Sequence, residues 1–328
     1  MTEAGPSPSI WGRLDRWWFE PAPALRLAVL RVLILGYGLI WLIGFSPMLL
    51  GALRFEPDRF APVGVVSLLD APLGVGVGVA LWLLAVVSGV AALLGWRFRL
   101  VAPVHALALL WVASYRNSWG MVFHTDNLLV MHTLILALLP ASDAWSLDAR
   151  RGGAPATSAL DPRYGWGPKL MATITTIAYV LAGVAKLRNA GGAWLDGGAL
   201  LNHVAWDNLR KVELGATHSP LGAALCAYPA VFVPLAWMSM VLELGAPIAL
   251  LGRRLAWAWT IGMWCFHIGV AAIMAIVFAY PVSGLAFAPL FAVEVPALSL
   301  AARARARWPK SRLLALLPTP APTPISPG

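Results

Sequence analysis

The sequence is short of charge and of cysteine. Asp, Glu, Lys and Arg make up 12% of its 328 residues, against the ~25% that is usual in soluble domains. This deficit excludes a single water-soluble globule. Cys226 and Cys265 are the only cysteines, and Cys265 lies within an apolar run, which excludes a disulfide framework. The regular alternation of apolar and polar residues that a transmembrane barrel requires is also missing.

Apolar runs near the ~20 residues needed to cross a bilayer recur along the chain. Apolar residues make up 59% of the sequence, and the mean hydropathy is +0.74. We therefore predict an all-α, polytopic membrane bundle of about eight transmembrane helices, with no large soluble domain. The predicted spans cover residues 24–45, 73–95, 100–115, 121–140, 168–187, 230–252, 255–278 and 281–300.

Lys and Arg are distributed unevenly among the loops that join these spans. With the N-terminus inside, most of them fall in the inner loops and the terminal segments, as the positive-inside rule requires. We predict a multipass protein of the cell (inner) membrane, with both termini and the 141–167 loop cytoplasmic. The net charge of +9 then reflects topology, and the expected partner is the lipid bilayer rather than nucleic acid.

Three segments are predicted along the chain. Residues 1–22 contain an interfacial amphipathic helix, with Ile10 and Leu14 on its apolar face. Residues 23–300 form the transmembrane domain. Residues 301–328 form a basic stub followed by a Pro-rich tail, which we expect to be disordered.

Two residues of opposite charge fall deep inside predicted spans. Counting about 1.5 Å per helical residue places Arg31 and Glu243 at similar depths from the inner side. Either charge alone would cost roughly 2.5–3.5 kcal/mol or more at the centre of the bilayer. We therefore predict a structural ion pair between Arg31 and Glu243.

A second polar layer is predicted near the outer ends of the spans. Its members close the third span, open the fourth and close the fifth: Arg116, His124, Asp126, Asn127 and Lys186. A lysine at the end of a span is commonly a snorkelling cap. Titratable groups that converge in a partly dry site instead indicate a candidate active site. The histidines and cysteines lack the spacing of a metal site, so no metal is expected.

Ordered blocks of the sequence resemble the vitamin K-dependent gamma-glutamyl carboxylase family, whose bacterial relatives form the horizontally transferred transmembrane (HTTM) domain. The blocks are LAVLRVLILGYGL (27–39), LLGWRFR (93–99), SYRNSWGMVFHTDNLLVMH (114–132), DAWSLD (143–148), AGVAKL (182–187), WLDG (194–197), FH (266–267) and APLF (288–291). In this resemblance Lys186 falls on the catalytic lysine. The family's histidine falls on His124, or on Asn127, because the spacing from Trp119 is longer here.

The resemblance implies quinol-dependent chemistry. Lys186 would be the base toward a reduced quinone similar to vitamin K or menaquinol, and His124 or Asn127 would assist it. O₂ and CO₂ would be co-substrates if carboxylation is retained. The residues expected to complete the substrate- or cofactor-binding site are Arg116, Asp126, Trp194, Asp196 and Gly197.

One departure from the family matters. The large soluble domain that handles the peptide in full carboxylases has no counterpart in this sequence, so we expect a separate protein to supply that part if carboxylation occurs. Two alternatives remain open. The first is a DoxX-like quinone oxidoreductase, which also has a Gly…Lys…Trp pattern at the end of a span. The second is a non-catalytic membrane subunit or a transporter.

Overall fold

The computed structural model of the protein describes residues 9–152, 159–311 and 317–318. Its α-helices are α1 Ile10–Trp18, α2 Ala24–Gly44, α3 Ser46–Gly51, α4 Val75–Leu93, α5 Phe98–Asn117, α6 Asn127–Ala137, α7 Leu147–Gly152, α8 Trp166–Ala190, α9 Gly192–Leu195, α10 Gly198–Glu213, α11 Pro220–Leu225, α12 Phe232–Leu244, α13 Arg253–Met274, α14 Ala279–Val282 and α15 Glu294–Arg307. Short 3-10 helices cover Ala52–Arg54, Pro57–Arg59, Gly64–Leu68, His124–Asp126, Pro162–Tyr164, Pro229–Val231, Ala246–Leu250 and Leu285–Leu290. Two short strands, β1 Ala22–Pro23 and β2 Leu160–Asp161, pair antiparallel.

Five helical stretches in the described residues are long and apolar enough to cross a membrane. They are α2, α4, α5, α13 and Pro162–Ala190, which contains α8. Each coincides with a predicted span, so the prediction of an all-α, polytopic membrane bundle is confirmed. A helix is also present in the predicted amphipathic segment, as α1.

The other three predicted spans are not single long helices. α6 has 11 residues and α12 has 13. α12 ends at Leu244 and is followed by Gly245 and Pro247, and a proline cannot donate the backbone hydrogen bond that a continuing helix needs. In the last predicted span, Gly284 has a left-handed φ of 79° and Pro289 follows within a 3-10 helix. Hydropathy alone does not show where glycine and proline interrupt a helix.

The chain divides into two compact units. The first comprises Met1–His124, Leu129–Met171 and Ala292–Gly328, and the second Thr125–Leu128 and Ala172–Phe291. In the first unit α2 packs against α4, and α4 against α5. α15 is joined to α2 by a bidentate ion pair, because Arg26 Nη2 lies 2.7 Å from Glu294 Oε1 and Arg26 Nε lies 3.0 Å from Glu294 Oε2.

Arg31 connects α2 to two other parts of the first unit. It is 1% exposed and donates hydrogen bonds to backbone carbonyl groups at the end of α4 and after α6, those of Leu93, Ala141, Ala144 and Trp145. Carbonyl dipoles therefore compensate the buried guanidinium. The predicted ion pair of Arg31 with Glu243 is wrong, since Arg31 has these partners and Glu243 pairs with a lysine.

Replacing Arg31 with Lys should destabilise the protein by about 1.5–3 kcal/mol, the contribution of one hydrogen bond to a charged group. A lysine presents a single nitrogen, which cannot reach carbonyls on several sides of a planar guanidinium. Thermal unfolding in detergent measures the loss. Arg99→Lys, at an exposed position, is the control and should change nothing. Equal stability of Arg31→Lys and the wild type would contradict the carbonyl network.

A buried apolar cluster in the second unit joins α8 to α13. Tyr179 of α8 packs against Trp259 and Met263 of α13 and against Phe287 in one buried apolar cluster. Trp259 donates from Nε1 to the carbonyl of Leu242 in α12, at 2.9 Å. These contacts fix α12 and α13 beside the C-terminal half of α8.

Side chains of α10 satisfy the C-terminal end of α13. Asn208 Nδ2 donates to the carbonyl of Ile273 at 3.1 Å, and Lys211 donates to the carbonyl of Met274. The last carbonyls of a helix have no intrahelical donor, so these side chains act as caps. The segment after α8 is thereby anchored to the end of α13.

Candidate functional site

Lys186 lies near the C-terminal end of α8 and is ion-paired with Glu243 of α12. Its Nζ is 2.5 Å from Glu243 Oε1, and the two side chains are 22% and 4% exposed. Gly183, one turn earlier, allows this approach, since a Cβ there would lie 3.2 Å from the Cβ of Glu243 and 2.9 Å from Leu244 Cδ2. The lysine is therefore held by a buried carboxylate.

Aromatic rings surround the Lys186 amine. Its Nζ lies 4.9 Å from the ring centroid of Trp194 and 5.5 Å from that of Phe266. Trp194 is buried and donates from Nε1 to Ser239 Oγ at 3.1 Å, which fixes the indole on α12. The ring faces attract an ammonium ion, and they also form flat apolar walls on which a planar ligand can stack.

A second buried polar pair lies in the same unit. The Tyr179 hydroxyl and His267 Nε2 are 2.8 Å apart, on α8 and α13. Trp259, Phe287 and Phe278 have their rings around this pair. The aromatic surroundings keep the hydrogen bond away from water.

Two atoms of these pairs have no hydrogen-bond partner among the described residues. They are His267 Nδ1 and Glu243 Oε2, and both residues are 3% exposed. A buried polar atom without a partner costs about 1–3 kcal/mol, so each such atom calls for an explanation. Polar atoms of a bound ligand would supply that partner.

A model of one protein family, the HTTM domain, matches residues 19–294 of the sequence. The chain belongs to the HTTM-domain family. It is accordingly a multipass membrane protein of the family related to vitamin K-dependent carboxylase. No curated protein and no solved structure matches the sequence significantly. Within the described residues, no group of three or more His, Cys, Asp or Glu could hold a metal ion.

The turn after Trp194 in this HTTM protein has a structural role. Gly197 is left-handed, with φ of 82°, and a Cβ there would lie 2.7 Å from backbone atoms of Phe232 and Val233. Asp196 is exposed, and its Oδ1 accepts a hydrogen bond of 2.8 Å from the backbone N–H of Gly198 at the start of α10. Both residues shape the turn, and of the predicted WLDG residues Trp194 contacts Lys186.

Gly197→Ala should destabilise the HTTM protein by about 1–3 kcal/mol, the cost of a strained backbone conformation, and the clash with α12 adds to it. Gly215→Ala is the matched control, because Gly215 is also left-handed, with φ of 64°, and a Cβ there meets nothing within 4 Å. Thermal unfolding of both variants in detergent separates the clash from the strain. Equal losses of stability in the two variants would show that the close approach of α12 does not require glycine at position 197.

The remaining predicted site residues lie around the end of α5 and the start of α6. Arg116, in the first unit, has its guanidinium over the rings of Phe123, Phe45 and Trp41 at 4.3, 5.4 and 5.8 Å. His124 and Asp126 are the ends of a 3-10 helix, and Asn127 begins α6. His124 and Asn127 are exposed. His124 belongs to the first unit and Lys186 to the second.

Sequence reasoning missed most of the groups around Lys186. The depth of Glu243 was counted along one straight helix over residues 230–252, whereas α12 ends at Leu244. Tyr179 and His267 are 88 residues apart, and no local pattern joins them. Asn117 closes the third predicted span, and its side chain bonds to both the N–H and the carbonyl of Phe123 at the turn before His124. The visible signals were Glu243 within an apolar run and the FH block at residues 266–267.

Proposed function

We propose that this HTTM protein acts on a reduced lipid quinone, with Lys186 as the base and Glu243 as the group that frees it. The observation that carries the proposal is the ion pair of Lys186 with Glu243 between aromatic rings, with Glu243 Oε2 buried and unpartnered. A hydroxylated aromatic ring fits this chemistry. Its flat face suits Trp194 and Phe266, and its hydroxyl groups can meet the polar atoms.

The pair can exchange a proton internally. In a dry environment the charged form of an ion pair loses much of its advantage, because both ions have given up hydration. Transfer of the lysine proton to Glu243 leaves a neutral amine beside a carboxylic acid. The amine can then take a proton from a hydroxyl group of the ligand, and the resulting ammonium stabilises the negative oxygen left behind. Glu243 keeps the first proton throughout.

The other residues position these two groups. Ser239 holds Trp194, and Trp194 covers the Lys186 amine. The Tyr179–His267 pair offers His267 Nδ1 to a polar atom of the ligand. The assisting role of His124, with Asn127 as the alternative, rests on the family resemblance alone, and so do the binding roles of Arg116, Asp126 and Asp196.

A reduced quinone would supply the reducing power toward O₂, and carboxylation would consume CO₂. Oxygen uptake therefore tests the proposal. Membranes that contain the wild-type protein should consume O₂ when given reduced menaquinone, and membranes that contain Lys186→Ala should not. Formation of the quinone epoxide would support carboxylase-type chemistry, whereas formation of the quinone alone would support the oxidoreductase alternative. Equal uptake with wild type, Lys186→Ala and empty membranes would contradict both and favour a non-catalytic subunit or a transporter.

The orientation in the membrane is part of the proposal. With both termini cytoplasmic, a cysteine at the exposed Glu213 should react with an impermeant thiol reagent in intact cells, and one at the exposed Arg150 should not. Both are introduced after replacement of Cys226 and Cys265. The reverse labelling pattern would contradict the topology.

A further inference from the structure

An apolar groove lies between α2 and α15 in the first unit. Its volume is about 620 Å³. α2 contributes branched side chains, including Val29, Val32 and Leu33, and α15 contributes Leu300 and several alanines. The Arg26–Glu294 ion pair near the start of α15 fixes one end of this helix to α2.

Small residues on α15 keep the groove open. Ala297, Ala301 and Ala304 recur at helical spacing along the face that lines it. Alanines have no side chain long enough to fill the space against α2. The groove is therefore a consequence of residue size, and it can accept a slender apolar chain.

Two arginines form a basic rim at the end of the groove. Arg303 and Arg307 are one helical turn apart, line the groove and are exposed. Neither has a hydrogen-bond or ion-pair partner within residues 9–152, 159–311 and 317–318. Arg305 differs, because it donates to the carbonyls of Leu317 and Pro318. A phosphate group suits such a pair of arginines, because each guanidinium can donate two parallel hydrogen bonds to its oxygens.

The N-terminal part of α2 lines the groove. Val29 and Leu33 lie five and nine residues into α2, and at ~1.5 Å per residue they are about 7–14 Å from its start. Trp145 and Trp308 also line the groove. Tryptophan is typical of the boundary between headgroups and hydrocarbon.

We propose that this groove binds an anionic phospholipid, with its phosphate at Arg303 and Arg307 and one acyl chain along α2. The charge of the rim favours this ligand over a quinone, whose ring carries no phosphate. It also favours an anionic lipid over a zwitterionic one, since the choline headgroup places a cation beside the arginines. The residues that line the groove are not those of the Lys186 site, and the proposal does not depend on the proposed quinol chemistry.

Native mass spectrometry of the full-length protein in detergent tests this site, with phosphatidylglycerol and phosphatidylcholine as the probes. Wild type should retain phosphatidylglycerol, and Arg303→Gln/Arg307→Gln should weaken its binding by about tenfold or more, as expected for lost charged hydrogen bonds. Arg150→Gln/Arg151→Gln removes two exposed charges elsewhere in the first unit and should leave binding unchanged. Ala304→Phe should weaken binding while both rim arginines remain.

Several results would overturn the proposal. If both double-arginine variants lost phosphatidylglycerol binding equally, the net charge of the protein would explain the effect and no specific site would be needed. Equal retention of phosphatidylcholine by the wild type would remove the need for an anion. Unchanged binding by Ala304→Phe would exclude the acyl chain from the groove, and displacement of phosphatidylglycerol by menaquinone would assign the groove to a quinone tail. Thermal unfolding of each variant confirms that it is folded before lipid is added.

Discussion

Glu243→Gln is expected to destabilise the protein by about 3–5 kcal/mol, the usual cost of removing one partner from a buried ion pair. Lys186 would then lack its counter-charge while its side chain is only 22% exposed. A glutamine amide can accept a hydrogen bond but cannot compensate the charge. Thermal unfolding in detergent should show the loss as a lower midpoint.

A double variant separates the ion pair from other effects of the substitution. Lys186→Met/Glu243→Leu removes both charges and should recover most of the lost stability, because neither partner is left alone. Glu213→Gln, at an exposed position of α10, is the neutral control. A thermal unfolding midpoint of Glu243→Gln equal to that of the wild type would contradict the ion pair of Lys186 with Glu243.

Lys186→Arg is expected to abolish quinol-dependent oxygen uptake, with a loss of about 10²-fold or more, the range for removal of a general base. Arginine keeps the positive charge, so it can still pair with Glu243 and preserve the fold. A guanidinium does not deprotonate in proteins and therefore supplies no base. The variant thus separates the chemical role of the amine from its charge.

The same helix offers the matched control. Lys169 of α8 pairs with Glu20 at 2.8 Å and has a side chain that is 24% exposed, close to the value for Lys186. Lys169→Arg should leave oxygen uptake unchanged. Wild-type activity in Lys186→Arg would contradict the catalytic role of Lys186 and leave it the role of a charged cap at the end of a membrane helix.

The long helices could be predicted because composition alone determines them. A run of ~20 apolar residues has few alternatives to a membrane helix, and in the part of the chain that the structure describes five such helices occur where hydropathy placed them. The ends of the shorter helices depended on local backbone chemistry instead. Gly245 and Pro247 interrupt a run that is largely apolar, so hydropathy continued the helix beyond Leu244.

The partners of buried charges were predicted less well. Arg31 bonds to peptide carbonyls, which every residue carries, so no side-chain pattern marks them. Glu243 needed a cation as its partner, but the depth estimate paired it with Arg31 instead of Lys186. That estimate counted residues from the end of a predicted span, and α12 ends before that span does. Lys186 and Trp194 are close in sequence, and their proximity in the structure followed from the short turn between them.

Infrared difference spectroscopy tests most directly whether Lys186 and Glu243 act together as the base. Reduced menaquinone is added to the protein without oxygen, so that a proton taken from the quinol stays in the site. The wild type should gain the carbonyl stretching band of a protonated carboxyl group, and Glu243→Gln and Lys186→Arg should both lack it. A band of wild-type intensity in Lys186→Arg, or no band in a wild-type protein that binds the quinol, would contradict the account.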